Sequence, residues 1–348
     1  MFFLYLVSCT SSQEDVPMKE EEQSAIGFNA KVNSRALADI DDVKTNGFTA
    51  KVQGSRAVAD IDSVQNGFGV WAFYTNNKNT NVITYMENLK VEYKEGRWDY
   101  GNPKYWLLDT KFSFVATYPY VEKSTYTTKS GAVELTLSET PSNTDYLVAL
   151  KSVDTGDIAF DPSKSVQLQF KHLLSNVSLN VWRDGAKHGN DQMRIKRVIL
   201  SNIRKAGKYS SVTEKWAPTN EKLAMEYIND TFADSDNIDG AIIQNDGKLD
   251  TDGADGFRAF SEKMLLPQTI DASNSVSLKI EYELKRQNAA DWEEAELETS
   301  LPSITWNAGQ RYTYNVVLSL VTDITVYYMQ TKVDPWGTPQ VGGTVIIK

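Results

Sequence analysis

Two arginines stand between small residues at matching places in the chain, Ser34-Arg35-Ala36 and Ser55-Arg56-Ala57. In an exposed loop such a bond is open to a trypsin-like protease, so the chemistry is done on this chain rather than by it. A second candidate is acidic. Residues 234–256 contain DSDNIDG and LDTDGADG, where Asp250, Asp252 and Asp255 alternate with Gly253 and Gly256. Hard oxygen ligands around tight glycine turns can wrap Ca²⁺. The match to an EF-hand is poor, because Ala254 takes the third ligand position and no glutamate stands at the twelfth. The plainer reading is a solvated loop on a sandwich rim. The chain has two histidines, His172 and His188. His172 reads as a satisfied residue at a sheet edge and His188 as a loop residue. Neither G-x-S-x-G nor H-E-x-x-H occurs. Glycosidase carboxylates come from distant strands, but nothing in the order of residues points to such a pair. The expectation is a non-enzyme without a cofactor, calcium being the one metal candidate.

Cys9 is the third reactive position. It follows the apolar run Phe2 to Val7, which is too short to span a bilayer and reads as the end of a signal-peptide core. Leu6-Val7-Ser8-Cys9 resembles the lipobox of bacterial lipoproteins, in which the cysteine thiolate is acylated and becomes the mature N-terminus. More than one acyl chain gives firm anchoring. No Lys or Arg precedes the run, so the true start is expected upstream of Met1. The alternative is a plain free thiol. Cys9 is the only cysteine, which leaves no intrachain disulfide and no thiolate cluster. Residues 10–24 are polar and acidic, the composition of a flexible tether.

Lys+Arg 36 against Asp+Glu 46 gives a net charge of −10. That balance speaks against nucleic acid and against a basic membrane patch as partners. The length suggests two domains.

The elements that must position these residues are almost all strands. Residues 27–46 and 47–67 repeat one segment, with Gly-Phe pairs at 27, 47 and 67, a period of 20. Phe28, Ala30, Val32 and then Phe48, Ala50, Val52 alternate as a strand with one buried face would. Two copies are too few for a solenoid. The duplication is either neutral or a doubled first strand. Further strands are expected at 70–74, 111–119, 133–137, 146–150, 165–170, 177–182, 193–203, 275–286, 311–321 and 324–330. A hairpin is expected at 91–100 around Gly96, and one short helix at 222–230. The 17 Tyr and eight Trp suit sandwich cores with amphipathic rims. Asp161-Pro162-Ser163 is the expected boundary between an N-terminal β-sandwich, 25–162, and a C-terminal one, 163–348.

Four elements together resemble the fimbrillins of Bacteroidetes, the subunits of type V pili. They are the lipobox Cys9; the arginine after the first strand, followed by GFGVWAFY; Phe170-Lys171-His172-Leu173-Leu174-Ser175-Asn176-Val177; and Trp306-Asn307-Ala308-Gly309-Gln310-Arg311-Tyr312-Thr313-Tyr314 with Val333-Asp334-Pro335-Trp336 downstream. The resemblance spans most of the chain and rests on the order and spacing of motifs that are each weak alone.

The resemblance implies an all-β protein of two tandem transthyretin-like or Ig-like sandwiches, carried to the outer membrane as a lipoprotein. A protease then removes the first strand, and a neighbouring subunit's strand fills the groove, giving a head-to-tail polymer. On this chain the processing bond is Arg35-Ala36 or Arg56-Ala57. A cut at Arg56 removes both copies and is the favoured one; a cut at Arg35 leaves the second copy able to refill the groove. The donor is expected in Val341, Thr344, Val345, Ile346 and Ile347, which otherwise form the last strand of the body. The competing function is a monomeric surface lipoprotein that binds a glycan or host ligand through Trp98, Trp216 and Trp292.

Overall fold

The computed structural model describes residues 24–32, 64–76, 79–121, 126–140, 144–183, 192–227, 258–259, 262–321 and 324–335. Every named element among them is a strand. The first nine are β1 (Phe28–Val32), β2 (Phe68–Asn76), β3 (Asn79–Lys94), β4 (Arg97–Asp99), β5 (Thr110–Tyr118), β6 (Tyr126–Lys129), β7 (Ala132–Leu137), β8 (Leu147–Asp154) and β9 (Val166–His172). Then follow β10 (Ser175–Arg183), β11 (Gln192–Arg204), β12 (Gly207–Ser210), β13 (Lys215–Pro218), β14 (Lys222–Tyr227), β15 (Arg258–Ala259) and β16 (Lys263–Leu265). The last are β17 (Gln268–Ile270), β18 (Ser277–Lys285), β19 (Glu293–Ser300), β20 (Ile304–Trp306), β21 (Gln310–Val321) and β22 (Ile324–Pro335).

A seven-stranded sheet in the order β1-β9-β8-β5-β2-β3-β4 dominates the first part. Its strands alternate cleanly where one face is wet. In β9 Val166, Leu168 and Phe170 are buried while Gln167, Gln169 and Lys171 are exposed. The central strand β2 is buried from Phe68 through Phe73, because both faces of the sheet are covered. One face closes over Phe28, Phe68, Val70, Phe112, Phe114, Leu168, Phe170 and Trp106. The other carries Trp71, Phe73, Val115 and Val148 onto Val133, Leu135, Tyr209, Leu173, Leu174, Met264 and Leu266. A sheet ordered β13-β12-β7-β6 supplies part of that second layer, so strands from before and after residue 200 share it. The remaining sandwich packs β15-β10-β21-β22, with β16 on β10, against β14-β11-β18-β19. Its core holds Val177, Leu200, Ile280, Trp306, Tyr312 and Tyr314.

Two expectations need correction. Residues 222–230 were expected to hold a helix, but Lys222–Tyr227 is the edge strand β14, paired antiparallel with β11. Leu223, Met225 and Tyr227 recur every second residue, and the open edge of β11 decides the matter over intrinsic helix propensity. The break expected at Asp161-Pro162-Ser163 is a turn inside the seven-stranded sheet. Asp161 accepts bonds from the Ser163 backbone and hydroxyl, at 3.0 and 2.6 Å, and the chain then returns as β9. The passage to the next sandwich comes after His172. The hairpin at 91–100 is present, with Lys94 opposite Arg97 across Glu95-Gly96.

Candidate functional site: the first strand and its groove

β1 is an edge strand, and it runs parallel to β9 with Phe28 opposite Val166 and Val32 opposite Phe170. Sequence dictates which face turns in. Ile26, Phe28 and Ala30 are 1, 5 and 5 % exposed, while Asn29 turns out and donates to Gln167 Oε1 at 3.2 Å. The Phe28 ring meets Tyr100 and Phe114 edge-on, at 5.4 and 6.1 Å between centroids. Gly27 lies close to Ser165: a Cβ there would stand 2.9 Å from Ser165 Oγ, which would have to rotate away.

The strand is held from a second side at its start. Ile26 N–H donates to Lys104 O at 2.7 Å, and Ala25 forms an antiparallel bridge with Tyr105. The Tyr100 hydroxyl donates to Ile26 O at 2.7 Å, and Val166 N–H donates to Gly27 O at 2.8 Å. Without the first strand and its approach the Val166 amide loses this partner, and apolar side chains of the core around Phe114, Trp106, Leu168 and Phe170 lose their cover. Such an edge is a template for another strand. Beside β1 lies a cleft of about 430 Å³, bordered by Tyr93, Arg97 and Trp98 of the β3–β4 hairpin and by Lys164, Ser165 and Gln167.

Arg35, Ala36, Arg56 and Ala57 lie outside the described residues, between Val32 at the end of β1 and Val64. Val64 is fully buried, and its carbonyl accepts from Gly67 N–H at 3.0 Å. Cys9, the acidic loop with Asp250, Asp252 and Asp255, and the C-terminal Val341, Thr344, Val345, Ile346 and Ile347 also lie outside the described residues. Among the described residues no cluster of three or more His, Cys, Asp or Glu could hold a metal ion.

The two motifs singled out in the sequence meet at the passage between sandwiches. Phe170 belongs to the first core, Leu173 and Leu174 to the shared middle layer, and Val177 to the last core. His172 is buried with Nδ1 2.7 Å from Asp145 Oδ2. Gly309, at φ +70°, donates to Leu174 O at 2.9 Å, and Ser175 Oγ donates to Asn307 O at 2.9 Å. The Tyr312 hydroxyl accepts from Asn307 N–H at 2.7 Å and donates to Thr305 O at 2.9 Å. Trp306 Nε1–H donates to Tyr314 Oη at 2.9 Å. The W-x-x-G-x-x-Y-x-Y spacing is thus a turn whose tyrosines tie it down from the following strand. Burial pushes the phenols of Tyr126, Tyr227 and Tyr314 well above the usual tyrosine range.

Two of the three tryptophans read as ligand-binding candidates are engaged in packing. Trp216 donates to Leu173 O at 2.7 Å beside Tyr209, and Trp98 meets Phe68 and Tyr93. Trp292 lies partly exposed just before β19. Sequence reasoning singled out none of Tyr100, Trp106, Ser165 and Asp145: Trp106 and Asp145 lie in connecting segments, and Tyr100 and Ser165 stand at the ends of the expected hairpin and strand. The one signal for Trp106 was its place in the apolar run Tyr105-Trp106-Leu107-Leu108.

The Fimbrillin-like family model matches residues 55–336. No curated protein matches the chain. Among solved structures, a fimbrial protein from Bacteroides vulgatus is similar with a TM-score of 0.62 at 16% identity, over 90% of this chain and 99% of that one. A candidate cell adhesion protein from Bacteroides ovatus is similar at a TM-score of 0.49 and 16% identity, over 91% and 99%. At these identities the likeness concerns the fold.

Proposed function

The chain belongs to the fimbrillin-like family, and from that premise we propose that it is a structural subunit or adhesin of a surface pilus, activated by loss of its first strand. In this reading Cys9 carries the lipid that tethers the precursor to the outer membrane. Cleavage after Arg56 removes both strand copies. A C-terminal segment containing Val341, Thr344, Val345, Ile346 and Ile347 from a neighbouring subunit then occupies the slot, and the contact propagates head to tail. The observation that carries the reading is the setting of β1: an edge strand whose inward residues fill an apolar slot, followed in sequence by two arginines before the described residues resume at Val64. The family match supports it further, since it begins at Ser55, beside Arg56, and leaves both copies outside.

Calcium at Asp250, Asp252 and Asp255 is a subordinate proposal, tested by calcium titration of the full chain. The competing reading is a monomeric surface lipoprotein using the cleft beside Trp98 and Tyr93 for a glycan.

Limited digestion of the chain lacking residues 1–9 separates the two. The expected outcome is one cut after Arg56 and SDS-resistant ladders, with filaments in electron micrographs. A chain that is cut there and stays monomeric sinks the polymerisation proposal.

A further inference from the structure

We infer that the second copy of the repeat is a spare occupant of the β1 groove, held out by a single buried position just before the strand. Residues 27–32 read GFNAKV and residues 47–52 read GFTAKV. The groove makes its demands on the inward side, a phenyl ring against Tyr100 and Phe114 and a small side chain at Ala30, while a glycine lies beside Ser165. Gly47, Phe48 and Ala50 supply the same three residue types. The single difference, Asn29 against Thr49, falls on the outward side, where Asn29 only reaches Gln167.

The second copy also has the reach. Val32 pairs with Phe170, whose ring lies 5.1 Å from that of Phe68. A strand in this position therefore ends within roughly 20 Å of β2, given a strand spacing of about 5 Å. Residues 53–63 extend to roughly 35 Å at about 3.3 Å per residue.

What separates the copies is the residue before the glycine. The first copy follows Ile26, which is 1 % exposed in the core. The second follows Asn46, whose amide in that place would be buried in an apolar site. Ile26 is thus the selector, and the first copy holds the groove in the intact chain. After a cut at Arg35 alone the second copy succeeds it within the same molecule; only a cut at Arg56 clears the groove.

The inference concerns the groove assigned to assembly above, but its test reads occupancy inside one chain and is independent of polymerisation. In a Cys9→Ser background, Gln167→Cys is paired with Asn29→Cys or with Thr49→Cys, and disulfide formation is measured in the full chain. The 29/167 pair is expected to close and the 49/167 pair to stay open. Exchanging the selector, Ile26→Asn with Asn46→Ile, is expected to reverse the two. Deleting residues 27–46 joins Ile26 to Gly47, and that chain is expected to keep the thermal midpoint of the full chain and to close 49/167. A swapped chain that still closes 29/167, or a deletion chain that melts lower with 49/167 open, overturns the inference.

Discussion

Tyr312 does more for the fold than its burial suggests, because its hydroxyl spans the turn from Thr305 to Asn307 with two short bonds. Tyr312→Phe leaves one amide and one carbonyl without their partner and is expected to cost about 1–3 kcal/mol in denaturant titration. Gly309→Ala, at φ +70°, adds backbone strain at the same turn and is expected to destabilise by about 1 kcal/mol. The spacing of these residues was visible in the sequence; their hydrogen bonds were not, because they depend on how the turn folds over the strand. The buried tyrosines set an alkaline limit. Tyr126, Tyr227 and Tyr314 keep their protons in the folded chain above the pH at which an unfolded chain releases them. Their contribution is therefore complete below about pH 10 and is lost above it, at about 1.4 kcal/mol per tyrosine per pH unit. Absorbance at the tyrosinate band is expected to rise in two steps, the second coinciding with loss of the near-ultraviolet circular dichroism.

For single elements, β1 is the informative case. Its alternation was legible from Phe28, Ala30 and Val32, and so was the presence of a doubled copy. Its partner was not, since a parallel pairing between residues near 30 and near 168 leaves no local mark. Phe28→Ala removes the ring from Tyr100 and Phe114 and is expected to destabilise by about 3–5 kcal/mol. If the second copy takes over, the measured loss is smaller, so the combined change Phe28→Ala with Phe48→Ala is expected to exceed the single one in the same titration. The misread element was β14. Its apolar residues suit either period over so short a run, and only the open edge of β11 selects the strand.

The whole molecule is knitted more tightly than a break at residue 162 implies. β12 and β13 come back from beyond residue 200 to extend β7, and Leu173, Leu174, Met264 and Leu266 share a core with Trp71 and Phe73. A proline turn looked like a boundary because punctuation between strands reads the same within a sheet as between sheets. The shared layer predicts one cooperative calorimetric transition for the chain, with calorimetric and van't Hoff enthalpies in agreement. Two resolved transitions would show that the layer does not couple them. The same knitting fixes how the groove meets load. The rungs between β1 and β9 are evenly spaced and bridge the two strands at a slant, so a pull along the strand axis strains all of them together in shear. Peeling from the edge would break them singly and at low force. A strand drawn lengthwise through this groove must also drag its phenyl ring past Tyr100 and Phe114. The site is thus a mechanical grip, strong against tension and weak against peeling.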